Sequence, residues 1–170
     1  MEAEITLKDF KARLDPKIRA YFDTAIEEAG REDMLVADAL RYSRSLVLAG
    51  GKRLRAAFMY YGYIGAHGKE EEKMLEASMS IELIHAFLLV HDDIIDRDDM
   101  RHGMTTLHRH YADIGQAFFP EKDTEHFGNA MAIIIGDMLG AFGNDIIFPQ
   151  IFIFIIMLSH IPAGLPRDEN

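Results

Sequence analysis

From Phe10 onward the apolar residues recur every three or four positions, as Phe10, Leu14, Ile18, Tyr21, Phe22 and Ile26, the spacing of one buried helical face. Thr6 followed by Asp9 approximates a capping box with the shorter acid, so a first helix is predicted to begin there and to end near Gly30. A second is predicted from about Glu32 to Ala49, with Leu35, Ala39, Tyr42, Leu46 and Ala49 on one stripe, stopping at Gly50 and Gly51. A third runs from about Leu54 to Ala66 and a long fourth from about Glu70 to Asp98. Shorter ones follow from about Thr105 to Phe118 and Thr124 to Phe142. Val and Ile sit inside these patterns, and no alternating run lies between turn signals. The predicted class is therefore all-α, without internal repeat or linker.

Beyond Met138 the character changes. Histidine aside, Asp145 is the only charged residue before Pro166, and Ile146 to Leu158 is nearly all Ile, Phe, Met and Leu, interrupted by Pro149 and Gln150. That run is shorter than the roughly 20 residues of a spanning helix, so no stable membrane span is expected from it. Two readings remain, a core helix without its cover or a β-prone run. The chain is accordingly divided into residues 1–145 and an apolar tail, 146–170.

Charge adds one hint. The 170 residues hold 28 acidic and 18 basic side chains, a formal charge of −10, and no cysteine. A disulfide scaffold and thiolate metal sites are excluded. Nucleic-acid binding is not expected, because phosphate contacts need clustered cations. An acidic excess suits metal cations instead. The start, MEAEITLKDF, has no basic stretch leading into an apolar one, so no signal peptide is read there and a cytoplasmic location is expected.

The fourth predicted helix contains IELIHAFLLVHDDIID, residues 81–96. At about 100° per residue, His85, Asp92 and Asp96 fall within about 40° of one another, while Asp93 is rotated away. Asp92 and Asp96 are about 6 Å apart along the axis, a spacing that hard cations can bridge with help from phosphate oxygens. Mg²⁺ suits it, since that ion usually takes one or two protein carboxylates and fills its shell with water and phosphate. Leu83, Ile84, Phe87, Leu88, Leu89, Val90, Ile94 and Ile95 make the helix apolar nearly all round, which predicts burial. Buried carboxylates need a metal or a basic partner. Cations occur at Gly50-Gly-Lys-Arg-Leu-Arg-Ala56, where Lys52 and Arg55 share a face and Arg53 points elsewhere, and in the glycine-bearing loop Arg101-His-Gly-Met-Thr-Thr-Leu-His108. An acidic metal face flanked by cations specifies a diphosphate pocket.

These segments together resemble the trans-prenyl diphosphate synthases, or polyprenyl synthetases. GGKRLRA resembles the family's GGKR-x-R-P, IELIHAFLLVHDDIID its first aspartate-rich motif, RHGMTTLH its RRGxPTxH, and AMAIIIGDML its later GD segment. The similarity spans roughly Leu7 to Phe142, in order. It implies an isoprenoid-synthase helical bundle, here incomplete, and a Mg²⁺-dependent head-to-tail condensation of isopentenyl diphosphate with an allylic diphosphate. By resemblance, Asp92 and Asp96 are the Mg²⁺ ligands, with Asp93 supporting them in the catalytic set. Lys52, Arg55 and His85 bind isopentenyl diphosphate, and Arg101 the allylic diphosphate. His102 stands where the family has a second arginine for isopentenyl diphosphate and carries only part of its charge near neutral pH. Ala56 and Thr105 replace family prolines. Phe87 and Leu88, five and four positions before the first aspartate, occupy the places that help set product length. A homodimer is expected for the family.

The match also stops. Family members are about twice as long and carry a second DDxxD and a later lysine, neither of which occurs in these 170 residues, and from about Ile147 the resemblance ends. The chain is expected to be a truncated N-terminal half, weak or inactive alone. The alternatives are a non-catalytic diphosphate-binding or regulatory subunit paired with a full-length synthase, and an HD-type metal phosphohydrolase suggested by His91-Asp92.

Overall fold

A computed structural model of the chain describes the backbone of residues 2–159 and the side chains of residues 6–149. Six helices account for nearly all of it: α1 (Glu2–Glu32), α2 (Met34–Ala49), α3 (Leu54–Gly65), α4 (Glu71–Asp96), α5 (Leu107–Phe118) and α6 (Thr124–Ser159). Between α4 and α5 lies a two-stranded antiparallel ribbon, β1 (Met100–Arg101) and β2 (Met104–Thr105). The class is all-α, as the periodicity predicts.

Helix α1 lays Phe10, Leu14, Ile18 and Phe22 into the core, each at most 1% exposed. Burying side chains of this size is worth about 1.5–3 kcal/mol each. The predicted start of α1 is wrong, and its end falls just beyond the predicted Gly30, at Glu32. Thr6 and Asp9 lie inside a helix that already runs from Glu2, so they form no capping box, and Gly30 lies inside rather than after it. The break falls at Asp33 instead, whose carboxylate caps α2 by accepting the Leu35 N–H at 2.7 Å. The face of α2 follows the predicted stripe in part: Ala39 is buried and Tyr42 and Leu46 pack against the core, beside Ala37, Leu40, Ser43 and Val47, whereas Leu35 is 77% exposed.

In the bundle α4 packs chiefly on α6, α6 on α5, α1 on α2 and α3 on α4. Central position does not bury α4 all round. Leu83 and Val90 are buried, but Leu88 and Ile95 are 51% and 76% exposed, contrary to the prediction from composition. Helix α6 passes residue 145 unbroken and carries its helical backbone through Pro149 to Ser159, which removes the β-prone reading of the apolar run. Ile146 and Ile147 pack against the core while Phe148 is exposed; the side chains of the run from Gln150 onward lie outside the described residues, as do residues 160–170 altogether. By length and composition alone two helical stretches, Glu71–Asp96 and Thr124–Pro149, suit a membrane. Both contribute to the packed core, which the interior helices of a bundle do equally well.

Candidate functional site

The α2–α3 connection is built to approach other parts of the chain closely. After Ala49, Gly50 is extended, Gly51 takes φ +85°, and Arg53 precedes α3 in the left-handed region at φ 55°. A Cβ on Gly50 would stand 2.4 Å from the His102 ring, so the absence of a side chain there is what lets the imidazole lie against the loop. Arg53 is not a surface cation. It is buried, donating to Asp15 Oδ1 at 2.7 Å, to Glu82 Oε2 at 3.2 Å and to the Val47 carbonyl at 2.9 Å. Glu82 is buried too, and its other oxygen accepts the Ala56 N–H at 3.3 Å. A carboxylate from α4 thus satisfies a free donor in the first turn of α3 and meets the positive end of that helix.

With Arg53 neutralised, Lys52 and Arg55 remain exposed, and neither makes an ion pair with an acid among the described residues. Arg55 Nη1 donates to His85 Nε2 at 3.0 Å. That bond needs an unprotonated acceptor, in keeping with a His85 pKa lowered by burial first and by the Arg55 charge second. His85 is therefore neutral near pH 7, with its proton on Nδ1.

Helix α4 ends at Arg97, whose left-handed φ of 60° turns the chain into the ribbon. The ribbon pairs Met100 with Thr105 and Arg101 with Met104 across a two-residue turn at His102 and Gly103, φ 52° and 80°. Positive φ at both positions is the turn that matches the twist of a tight hairpin. His102 is an exposed side chain at its tip, opposite Gly50. Arg101 turns back onto α4, bonding the Asp93 carboxylate and, at 3.4 Å, Asp98. Burial pushes the Asp93 carboxyl up, while the Arg101 hydrogen bond pulls it down.

Lys52, Arg53, Arg55, His85, Asp93, Arg101 and His102 border one cavity of about 140 Å³ whose floor is apolar, with Ala86, Leu89 and Leu139 among its lining. Every cation proposed from sequence is brought here. The aspartates divide differently. Asp93, rotated away on the wheel, is the buried one that borders the cavity; Asp92 and Asp96 are exposed, outside it, and make no hydrogen bond or ion pair among the described residues. Two free carboxylates one turn apart offer only hard oxygen donors, which fits Mg²⁺ better than a softer metal. Among the described residues no group of three or more His, Asp or Glu side chains gathers to hold an ion, so any cation here would need ligands from a bound phosphate or water.

His91 bonds the Phe87 carbonyl through Nδ1 at 2.9 Å and faces Asp137 of α6 at 3.5 Å. Phe87 packs edge-on against the His91 ring, 4.7 Å between centroids, and over Gly140, where a Cβ would lie 3.3 Å from its ring. It borders a second, open cavity of about 400 Å³ with Ile84, Asp137 and Asn144. Leu88 is half exposed and borders neither. What sequence reasoning missed is the support: Asp15, Glu82 and Arg53. Glu82 was the available signal, an acid set into an apolar run with nothing beside it to explain its place.

Comparison with known proteins identifies the family. The family model for polyprenyl synthetase matches residues 36–148. A geranylgeranyl diphosphate synthase of Methanosarcina mazei is 47% identical over 73 residues, 43% of this chain and 22% of the relative. A short chain isoprenyl diphosphate synthase of Methanocaldococcus jannaschii is 32% identical over 134 residues, 79% of this chain and 32% of the relative. Among solved structures, geranylgeranyl pyrophosphate synthase from Corynebacterium glutamicum, crystallised with isoprenyl diphosphate and magnesium, superposes with a TM-score of 0.77 at 34% identity. It covers 85% of this chain and 42% of that one. The matched part thus spans about a third or less of these curated relatives and under half of the solved one.

Proposed function

Because the chain belongs to the polyprenyl synthetase family, we propose that its site serves the head-to-tail condensation of isopentenyl diphosphate with an allylic diphosphate. The observation that carries this reading is the pair Lys52 and Arg55, two cations without acidic partners among the described residues at the mouth of an apolar cavity, beside a neutral His85. A diphosphate supplies the charge they lack, and the apolar floor accepts the hydrocarbon. In this reading Lys52, Arg55, His85 and His102 hold isopentenyl diphosphate. Arg101 serves the allylic diphosphate, while Asp93 fixes the direction of its guanidinium.

The reaction breaks the allylic C–O bond, with the electron pair leaving on diphosphate; the isopentenyl double bond forms the new C–C bond, and a proton is lost from the adduct. Mg²⁺ on Asp92 and Asp96 would supply charge neutralisation for the leaving diphosphate. The residues of this chain orient the two diphosphates, and the walls formed by Ala86, Leu89 and Leu139 keep water from an allylic cation. Phe87, at the α4–α6 groove, is the residue against which a growing tail would stop. A homodimer and a cytoplasmic location belong to the same proposal.

The 170 residues carry one aspartate repeat. For them alone the expected outcome is Mg²⁺-dependent diphosphate binding without appreciable turnover. Incubation of pure protein with labelled isopentenyl and geranyl diphosphates, followed by extraction of prenyl products, tests this; steady product formation overturns the second half of that expectation, and failure of either diphosphate to bind overturns the first.

A further inference from the structure

Arg53 borders the diphosphate pocket between Lys52 and Arg55, yet its guanidinium is spent on acceptors of the chain itself. Its side chain is 4% exposed and its three acceptors come from three elements: Asp15 of α1, the Val47 carbonyl of α2 and Glu82 of α4. The backbone here is in the left-handed region, which a non-glycine residue enters only when its surroundings determine it. The remaining parts of the loop are tied to the same cluster. Lys11 donates to the Gly51 carbonyl at 2.9 Å and pairs with Asp15 at 3.4 Å, and Glu82 takes the Ala56 N–H. Bonds therefore hold the chain at Gly51, Arg53 and Ala56, the positions that bracket Lys52 and Arg55.

We propose that Arg53, held by Glu82 and Asp15, is the positioning residue for diphosphate recognition, fixing the loop and the first turn of α3 from which Lys52 and Arg55 reach the ligand. The assignment rests on the diphosphate reading above and deepens it. A long, flexible lysine on an untethered Gly-Gly loop and an arginine in the helix turn that follows would lose conformational freedom on binding, whereas a segment held beforehand loses less. Lysine at position 53 keeps the charge but replaces a planar fork serving three acceptors with a single ammonium.

Calorimetric titration of inorganic diphosphate into the 170-residue chain in EDTA tests the proposal, together with amide hydrogen exchange. Arg53→Lys is expected to weaken diphosphate about tenfold, and Lys11→Met, an exposed change that does not threaten folding, about threefold. Ile18→Val, a core change that removes none of the bonds to Arg53 or Gly51, lowers thermal stability and leaves affinity as it was. In a Lys52→Ala background Arg53→Lys costs much less than it does alone, because it acts through Lys52. Exchange in both loop variants accelerates at residues 51–56 and not across α4. Equal affinity in Arg53→Lys, a loss matched by Ile18→Val, or full additivity with Lys52→Ala overturns the positioning role. The two claims separate cleanly. Faster loop exchange in Arg53→Lys with no diphosphate bound by the parent chain overturns the diphosphate reading and leaves the tether standing; unchanged exchange with diphosphate bound overturns the tether alone.

Discussion

The cation loop and the aspartate turn, assigned to the same chemistry in the proposed function, are built in opposite ways. At residues 50–56 the cation Lys52 stands on a loop and Arg55 in the first turn of α3, and both are tied down by a buried ion cluster, Arg53 with Glu82 and Asp15. At residues 92–96 the carboxylates stand on a regular helix, and Asp92 and Asp96 form no ion pair among the described residues, while Asp93 is consumed by Arg101. A loop has no intrinsic geometry, so its side chains need external bonds to be placed. A helix places i and i+4 together by its own repeat and needs none. Keeping the two aspartates unpaired leaves them free for a cation that the chain does not supply.

The sharpest way to break this comparison is to unpair the cluster. Glu82→Ala removes the buried carboxylate from Arg53, leaving it only the partly exposed Asp15, and frees the Ala56 N–H; it is expected to cost about 3–5 kcal/mol of unfolding free energy in denaturant titration. A loss below about 1 kcal/mol would mean that the loop does not depend on the cluster. Gly50→Ala comes next. Its Cβ would meet the His102 ring, so loop or hairpin must move, at about 1–3 kcal/mol and with weaker diphosphate binding. An alanine variant with unchanged stability and affinity would detach His102 from the loop.

A smaller effect is expected from His85. Its folded pKa lies below the ordinary value of about 6.5, so the unfolded chain binds protons first as pH falls. Stability from this group is present above about pH 6.5 and declines as the solution is acidified through that value toward the lower folded pKa. His85→Gln should therefore show a shallower drop between pH 7.5 and pH 5.5 than the parent chain, measured by denaturant midpoints; an identical drop assigns the acid sensitivity to other groups. Least of all should come from Asp92→Asn with Asp96→Asn. Both are exposed and unpaired, so stability changes by no more than about 0.5 kcal/mol, while the Mg²⁺-dependent part of diphosphate binding disappears. A large destabilisation would show that these carboxylates have a structural duty after all.

How far the amino-acid sequence could be read follows the same division. The helices and the core face of α1 were legible because Phe10, Leu14, Ile18 and Phe22 repeat at the helical period. Lys52, Arg55, His85, Arg101 and His102 were found because each lies in a motif, and the fold gathers all five around one cavity. What was not legible depends on contacts between elements. Nothing local says that Asp93 rather than Asp92 turns inward to meet Arg101, or that Arg53 belongs to Asp15, 38 residues earlier. The helix wheel ranks faces but does not say which one a neighbour covers, which is why α4 was expected to be buried all round and leaves Leu88 and Ile95 in the open. The ribbon was missed for a different reason. Two-residue strands have no period to detect, although the His102-Gly103 pair, suited to positive φ, was a usable turn signal.

The central claim is that the chain holds a preformed diphosphate pocket on the cation side, independent of metal. Calorimetry with isopentenyl diphosphate in EDTA addresses it directly, comparing the parent chain, Lys52→Ala with Arg55→Ala, and Asp92→Asn with Asp96→Asn. The account predicts binding by the parent chain and by the aspartate variant alike, and at least about tenfold weaker binding by the cation variant. Binding that needs Mg²⁺ from the outset, or that falls as far in the aspartate variant as in the cation variant, would contradict it.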